Sequence, residues 1–475
     1  MTVPAPLLII RGMPTVCSRV SRCIVALIAF VLVTGGAGLA GSGVDGDALP
    51  TASPQSQGFD PERLARLHAR MKRYVDEGEH AGIVTLIARN GRIVDSRAWG
   101  HRDVERKLPM ENDTIVRIYS MSKIVTSVAA LILHEEGRLK LDDPVAKHLP
   151  ALAKPTVFKG GTTAAPVLVP AKTPMTIRHL LTHTSGYGYG FGNTALDEIL
   201  RKANVFDTSK SLDDFVGRAA KLPLAHEPGT RFTYGINTDL LGAVVEKVSG
   251  QKLEAFVQQR ICGPLGMRDT GYDVPADKRS RLALVYEHAK PAKARGTNDG
   301  SGRSAAQTAE TMGRRGRFVP AKPVAGADVE QGLAPGGSGM FSTIGDYARF
   351  AQMLVNGGDL EGVRILGRKT VEMMTANHLA HLPRPTTEFS ESDGFGLGVA
   401  VRIDLAKGNQ LGSLGQFGWS GAATTDRQYR PEGETGCARV RAALPVQRAR
   451  SVLAVQHAGV PGAGELSPRR IALRP

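Results

Sequence analysis

The chain has 475 residues, with 60 Lys+Arg against 45 Asp+Glu and a formal charge of +15. Hydrophobic residues at 42% and charged residues at 22% exclude a disordered, collagen-like or polytopic membrane protein. The length exceeds one average domain, so two lobes or one unit with an insertion are expected. Nucleic acid is not expected as a partner. Aromatics are only 5% of the chain and no basic stripe is interleaved with them. Four cysteines, at 17, 23, 262 and 437, lack any CxxC pair, which supports neither a disulfide scaffold nor a zinc site.

Arg11, Arg19 and Arg22 precede the apolar run Ile24 to Val33, and small residues follow from Thr34 to Gly41. That order describes a secretory signal peptide over residues 1–40, cut after Ala40. The apolar core is short of the roughly 20 residues a membrane span needs. An exported protein, periplasmic or secreted and with no stable membrane span after cleavage, is the expectation. Cleavage leaves Cys262 and Cys437, whose pairing the sequence does not decide.

Residues 41–58 read as a linker. Asp60 to Glu77 carries Leu64, Leu67, Met71 and Tyr74 on one stripe and predicts an amphipathic helix. Ile83 to Ala88 predicts a strand, and Asn90-Gly91 a tight hairpin into the strand Ile93 to Trp99. A helix follows from Met121 to Glu136, closed by Gly137. Residues 142–330 are mostly helical pattern broken by polar and Gly-rich loops. Helix patterns return at Thr343–Asn356 and Lys369–Asn377, with strand signals at Gly394–Ile403 and around Trp419. Strands at both ends of a helical middle imply an α/β domain, residues 59–141 and 331–475, with an all-helical insertion at 142–330.

Ser120-Met121-Ser122-Lys123 is a Ser-x-x-Lys at a helix start. The i, i+3 spacing puts hydroxyl and ammonium on one face, and the helix N-terminus favours an oxyanion. A lysine so placed can activate the hydroxyl for nucleophilic attack; the plainer alternative is a serine that only caps the helix. Ser249-Gly250-Gln251-Lys252 matches the same spacing and reads as incidental at a helix end. Tyr234, before a helix, is a candidate base if it lies beside Lys123, and otherwise a packing residue. Trp419-Ser420-Gly421-Ala422 sits in a Gly-rich strand where bare backbone can approach a ligand. His179 and His183 stand at i, i+4, but Leu180 occupies the glutamate place of His-Glu-x-x-His, so they are expected to cap or pack and no metal or other cofactor is expected. Gly336-Gly337-Ser338-Gly339 lacks the Gly-x-Ser-x-Gly of a nucleophile elbow.

Taken with Thr176-Ile177-Arg178-His179-Leu180-Leu181-Thr182-His183-Thr184-Ser185-Gly186, Glu227-Pro228-Gly229-Thr230, Leu240 to Glu246 and Gly345 to Phe350, these motifs occur in an order that resembles the serine β-lactamase-like superfamily. Within it the chain is most similar to the class C β-lactamase and D,D-peptidase relatives and the family VIII carboxylesterases. The resemblance runs from about Asp60 to Thr425. It implies an antiparallel sheet flanked by helices with an inserted helical domain, and an active site between them. It implies Ser120 as nucleophile, Lys123 as its partner and Tyr234 as the third catalytic group. The backbone N–H groups of Ser120 and Ala422 become the oxyanion hole, and Trp419, Ser420, Gly421 and Asn237 the substrate-binding set. Ile236 holds the usual place of the motif's asparagine, with Asn237 one residue later. Trp419 replaces a lysine that would hold a substrate carboxylate, so an uncharged ester fits better. A carboxylesterase on small acyl esters leads. A β-lactamase or D,D-peptidase acting on an amide is the alternative, or a non-catalytic binding protein of the same fold.

From Asp426 the pattern of that family stops. Nine arginines, four acidic residues and no lysine follow, without a clear hydrophobic period. A genuine basic tail and a reading frame shifted near residue 426 both fit this composition. Either way, two further strands and a terminal helix are missing from the expected sheet.

Overall fold

In a computed structural model the described residues are 48–206, 211–288, 318–321, 334–384, 386–387, 390–408, 411–422, 426–430 and 437–443. The expected signal peptide, Cys17 and Cys23, most of the Lys290–Phe318 loop and residues 444–475 lie outside them. Helix α1 is Pro61–Asp76, with Asp60 accepting from the Glu62 N–H at 2.8 Å as its cap. Strands β1 (Gly82–Arg89) and β2 (Arg92–Asp103) form the expected hairpin. Its turn residues Asn90 and Gly91 have φ of 55° and 71°, the left-handed pair a tight hairpin requires.

β1 is mostly apolar and buried from Gly82 to Ala88 because both its faces are covered. Ile83 and Ile87 meet Leu64, Met71 and Tyr74 of α1, while Val84, Leu86 and Ala88 join the main core. That core surrounds α2 (Ser122–Glu135), buried on every side from Ser122 to Leu133. Gly137 ends the turn after α2 with φ 71°. The middle segment contributes α3 (Ile177–Leu181), α4 (Ala195–Ala203), α5 (Leu212–Ala219) and α6 (Asn237–Ser249). α6 packs directly on α2, so Leu240, Leu241 and Val244 share the core of Ile124, Val128 and Leu131. Ser249 closes α6, as expected of an incidental motif match. α7 (Ile344–Val355), capped by Thr343, packs on β1.

The segments that pair with β1 and β2 make one antiparallel sheet. Its other strands are β3 (Leu108–Pro109), β4 (Asp393–Phe395), β5 (Ala400–Arg402), β6 (Phe417–Gly418), β7 (Asp426–Arg430) and β8 (Cys437–Ala443). Their order is β4-β5-β6-β7-β8-β1-β2-β3. The missing-strand expectation is therefore corrected. β8 pairs with β1 from Ile83↔Ala443 to Arg89↔Cys437, and β7 joins it to β6. A central strand such as β1 cannot leave one row of N–H and C=O groups unpaired. Ala438-Arg439-Val440-Arg441-Ala442 does alternate with the period of a strand, a signal the arginine content obscured.

Two other expectations change. The linker is not free: Leu49 is buried, and Ala52 N–H donates to the Ile93 carbonyl at 2.9 Å along β2. The middle segment is not all-helical, since Thr156–Gly161 and Pro166–Pro170 form a hairpin. Prolines and glycines there masked the alternation of Val157, Val167 and Val169. No helix among the described residues is long and apolar enough to cross a membrane.

One buried carboxylate gives the fold a pH dependence. Asp346, in the first turn of α7, accepts from Asp269 N–H at 2.7 Å and Thr270 Oγ1 at 2.9 Å. Burial nevertheless raises its pKa from 3.8 to about 6. The folded state thus binds this proton more tightly than the unfolded chain. Its contribution is full below about pH 4 and is lost as pH rises through about 6. Asp346→Asn is expected to be more stable than wild type above pH 6, by at most about 3 kcal/mol. The gap should close towards pH 4. Urea denaturation across that range checks it, and parallel stability curves would refute it.

Candidate active site

Ser120 does not begin α2 itself but occupies the short turn Tyr119–Met121 before it. Tyr119 has φ 44°, a left-handed conformation costly for a bulky side chain. Three hydrogen bonds hold the turn. Ser122 Oγ donates to the Tyr119 carbonyl at 2.6 Å, Met340 N–H donates to Ser122 Oγ at 3.2 Å, and Tyr347 Oη of α7 donates to the Met121 carbonyl at 3.1 Å. Ser120 is left half-exposed with its hydroxyl next to Lys123.

Lys123 is 1% exposed. Its Nζ donates to Ser120 Oγ at 3.2 Å, Tyr189 Oη at 3.1 Å and the Gly337 carbonyl at 2.7 Å. Those partners use all three N–H donors of an ammonium. Asp239 of α6, fully buried, accepts the Gly337 N–H at 2.8 Å and faces Tyr189 Oη at 3.5 Å. The Gly337 peptide therefore bridges cation and carboxylate. Only glycine fits here, because a Cβ would meet the Asp239 carboxylate at 2.7 Å. Burial raises the pKa of Asp239, opposed by the Lys123 charge and the Gly337 N–H. Burial, with the negative charge of Asp239, pushes the Tyr189 phenol well above its ordinary range, so it stays protonated.

Tyr234 comes to the same place from the segment preceding α6. Lys123 Nζ lies 4.9 Å from the centre of its ring, and Trp419 Nε1 donates to its Oη at 3.1 Å. The Ser120–Lys123 pair, Tyr234 and Trp419, three places far apart in sequence, are thus joined in a row of contacts. Tyr234 also packs on His183 at 4.9 Å and, edge-on, against Tyr189 at 5.4 Å. His183 is fully buried, and burial holds its pKa well below the ordinary value, so the ring is neutral. His179 caps α3, accepting the Thr176 N–H at 3.2 Å. The two histidines therefore cap and pack.

The expectation that Asn237 contacts substrate is corrected. Its side chain is fully buried. Ser185 Oγ donates to its Oδ1, and its Nδ2 donates to His183 Nδ1 at 2.9 Å and the Tyr187 carbonyl at 3.2 Å. Its amide is committed to holding the loop beneath Tyr234. Ser420 and Gly421 lie half-exposed beside Trp419, and Ala422 is exposed. Sequence reasoning missed Tyr189, Asp239 and Gly337. The signals were a carboxylate inside the apolar text of α6 and a glycine run that fitted no nucleophile motif.

The indole contact gives a sharp test. Trp419→Phe keeps most of the ring packing but removes the donor to Tyr234 Oη. Turnover is expected to fall about 10-fold, the worth of one hydrogen bond of roughly 1.4 kcal/mol, with the melting temperature little changed. Unchanged turnover would show the bond idle.

Comparison with known proteins identifies the family. The Beta-lactamase family model matches residues 67–459, past the point where the sequence pattern had seemed to end. Protein Rv1367c of Mycobacterium tuberculosis is 32% identical over 77% of this chain and 86% of its own. Esterase EstB of Burkholderia gladioli is 35% identical over 62% of this chain and 71% of its own. The solved structure of EstCE1, described as a hydrolase with promiscuous acyltransferase activity, superimposes with a TM-score of 0.67 at 26% identity. It covers 84% of this chain and 98% of that one.

Proposed function

Since the chain belongs to the Beta-lactamase family and is a serine hydrolase, we propose that it is a carboxylesterase that cleaves small uncharged acyl esters through an acyl-enzyme. The observation that carries this reading is the contact between the Trp419 indole and Tyr234 Oη beside Lys123 and Ser120. A neutral aromatic stands where a carboxylate-binding cation would be needed for a β-lactam or D-alanyl peptide.

In this mechanism Ser120 Oγ bonds to the ester carbonyl carbon. Its proton passes to Tyr234 acting as a phenolate beside the Lys123 ammonium, and the resulting phenol returns it to the departing alcohol as the C–O bond breaks. The N–H groups of Ser120 and Ala422 receive the oxyanion. Water adds to the acyl-enzyme by the same route and releases the acid. An alcohol replacing water gives acyl transfer, the activity named for EstCE1. The aromatic wall of Trp419 and Tyr234 suits such an acceptor.

The test uses purified protein with an activated short-chain ester, a chromogenic cephalosporin and a fluorophosphonate. Ester turnover with Ser120 labelled supports the reading. Cephalosporin turnover in its place would favour the alternative, and an unlabelled Ser120 would favour a binding protein. Export through residues 1–40 belongs to the same proposal. A mature N-terminus near Gly41, read by mass spectrometry of the secreted protein, checks it.

A further inference from the structure

Phe191 is 80% exposed, the most exposed large apolar side chain among the described residues. A single exposed phenylalanine is ordinary. Two features set this one apart.

The first is continuity with the reacting groups. The Phe191 ring stacks on Tyr189 with centroids 5.1 Å apart and planes at 26°. Tyr189 Oη is 3.1 Å from Lys123 Nζ, which is 3.2 Å from Ser120 Oγ. An apolar surface thus runs from the ammonium beside the nucleophile out to solvent. Phe206, 6.3 Å from Tyr189, backs the same stack.

The second feature is that the loop presenting Phe191 is fastened. Arg201 Nη1 of α4 donates to the carbonyl of Gly190 at 2.6 Å and also to that of Gly192, the residues on either side of Phe191. Gly190 has φ 75°, and a Cβ there would lie 2.7 Å from the Asp197 carbonyl. At Gly192 a Cβ would lie 2.5 Å from the Asp197 carboxylate. That carboxylate also accepts from Thr194 N–H at 3.0 Å, closing the cap of α4. The backbone is tied down on both sides of a ring that the fold leaves in water, which is how a preorganised contact surface is built.

We propose that Phe191 and Tyr189 form an apolar subsite for the acyl chain of the ester. This rests on the reading of Ser120 as an acylated nucleophile. The direction follows from the proton route. Tyr234 Oη, which returns the proton to the alcohol, is held against Trp419 at 3.1 Å. The alcohol therefore leaves past the indole, and the acyl chain extends the other way, along Tyr189 to Phe191. Straight chains of about four to eight carbons would gain from each methylene laid on the two rings.

The experiment measures kcat/KM for p-nitrophenyl esters from acetate to octanoate in the full-length protein. In Phe191→Ala the octanoate-to-acetate ratio is expected to fall about 10-fold. Phe191→Leu, which keeps an apolar side chain on the loop, should recover most of that ratio and serves as the second variant should alanine unsettle the loop. Equal ratios in wild type and variants would overturn the subsite. So would a dependence that changes only along a series of acetate esters of longer alcohols. Fluorophosphonate labelling separates this from the underlying reading. A wild-type Ser120 that neither labels nor turns over ester overturns the hydrolase mechanism and the subsite with it. Labelling with unaltered chain-length profiles overturns the subsite alone.

Discussion

Ser120→Ala is expected to lower ester turnover by about 10⁴-fold or more while leaving the fold intact. Removing a nucleophile abolishes the covalent route, and what remains comes from binding and the oxyanion donors alone. Stability should change little, because Ser120 is half-exposed and Lys123, which donates to its hydroxyl, keeps Tyr189 and the Gly337 carbonyl. The reading has two parts, initial-rate kinetics and the mass of the protein after fluorophosphonate treatment. Wild type should gain one adduct on Ser120 and the variant none. A variant that still hydrolyses ester near the wild-type rate would place the nucleophile elsewhere.

The second large effect is on stability. Asp239→Leu is expected to cost about 3–5 kcal/mol, because it strands the Lys123 ammonium in a dry interior and removes the acceptor of the Gly337 N–H. Neither Lys123, at 1% exposure, nor Asp239, at 0%, can turn to water for compensation. Activity should be lost in parallel, since the glycine loop and Tyr189 together set where Nζ points. Urea denaturation of Asp239→Leu, Lys123→Met and the double variant gives the coupling. The double variant, an apolar pair of similar volume, should recover much of the stability and none of the activity. A double variant as unstable as the sum of the singles would mean that cation and carboxylate do not sense one another.

Much of the scaffold was legible from short-range physics. The stripe of Leu64, Met71 and Tyr74, the Asn90-Gly91 turn and the cap residues Asp60 and Thr343 each act within a few residues of themselves. The strands β7 and β8 were not. Their evidence lies in the backbone of β1, several hundred residues earlier, whose free edge had to be filled. Asn237 was assigned by its nearness to a tyrosine motif, but burial beside His183 and Ser185 turned its amide inward.

From residue order alone came the serine and lysine on one helical face, the signal-like leader and the family resemblance, because spacing along a helix is a local property. The three-dimensional structure decided which groups surround that lysine. Tyr189 lies 66 residues from Lys123 and Gly337 lies 214 away, and no periodicity links such positions. They meet because α2 and α6 bury their apolar sides together, and that burial leaves the ammonium no water and only these partners to satisfy it.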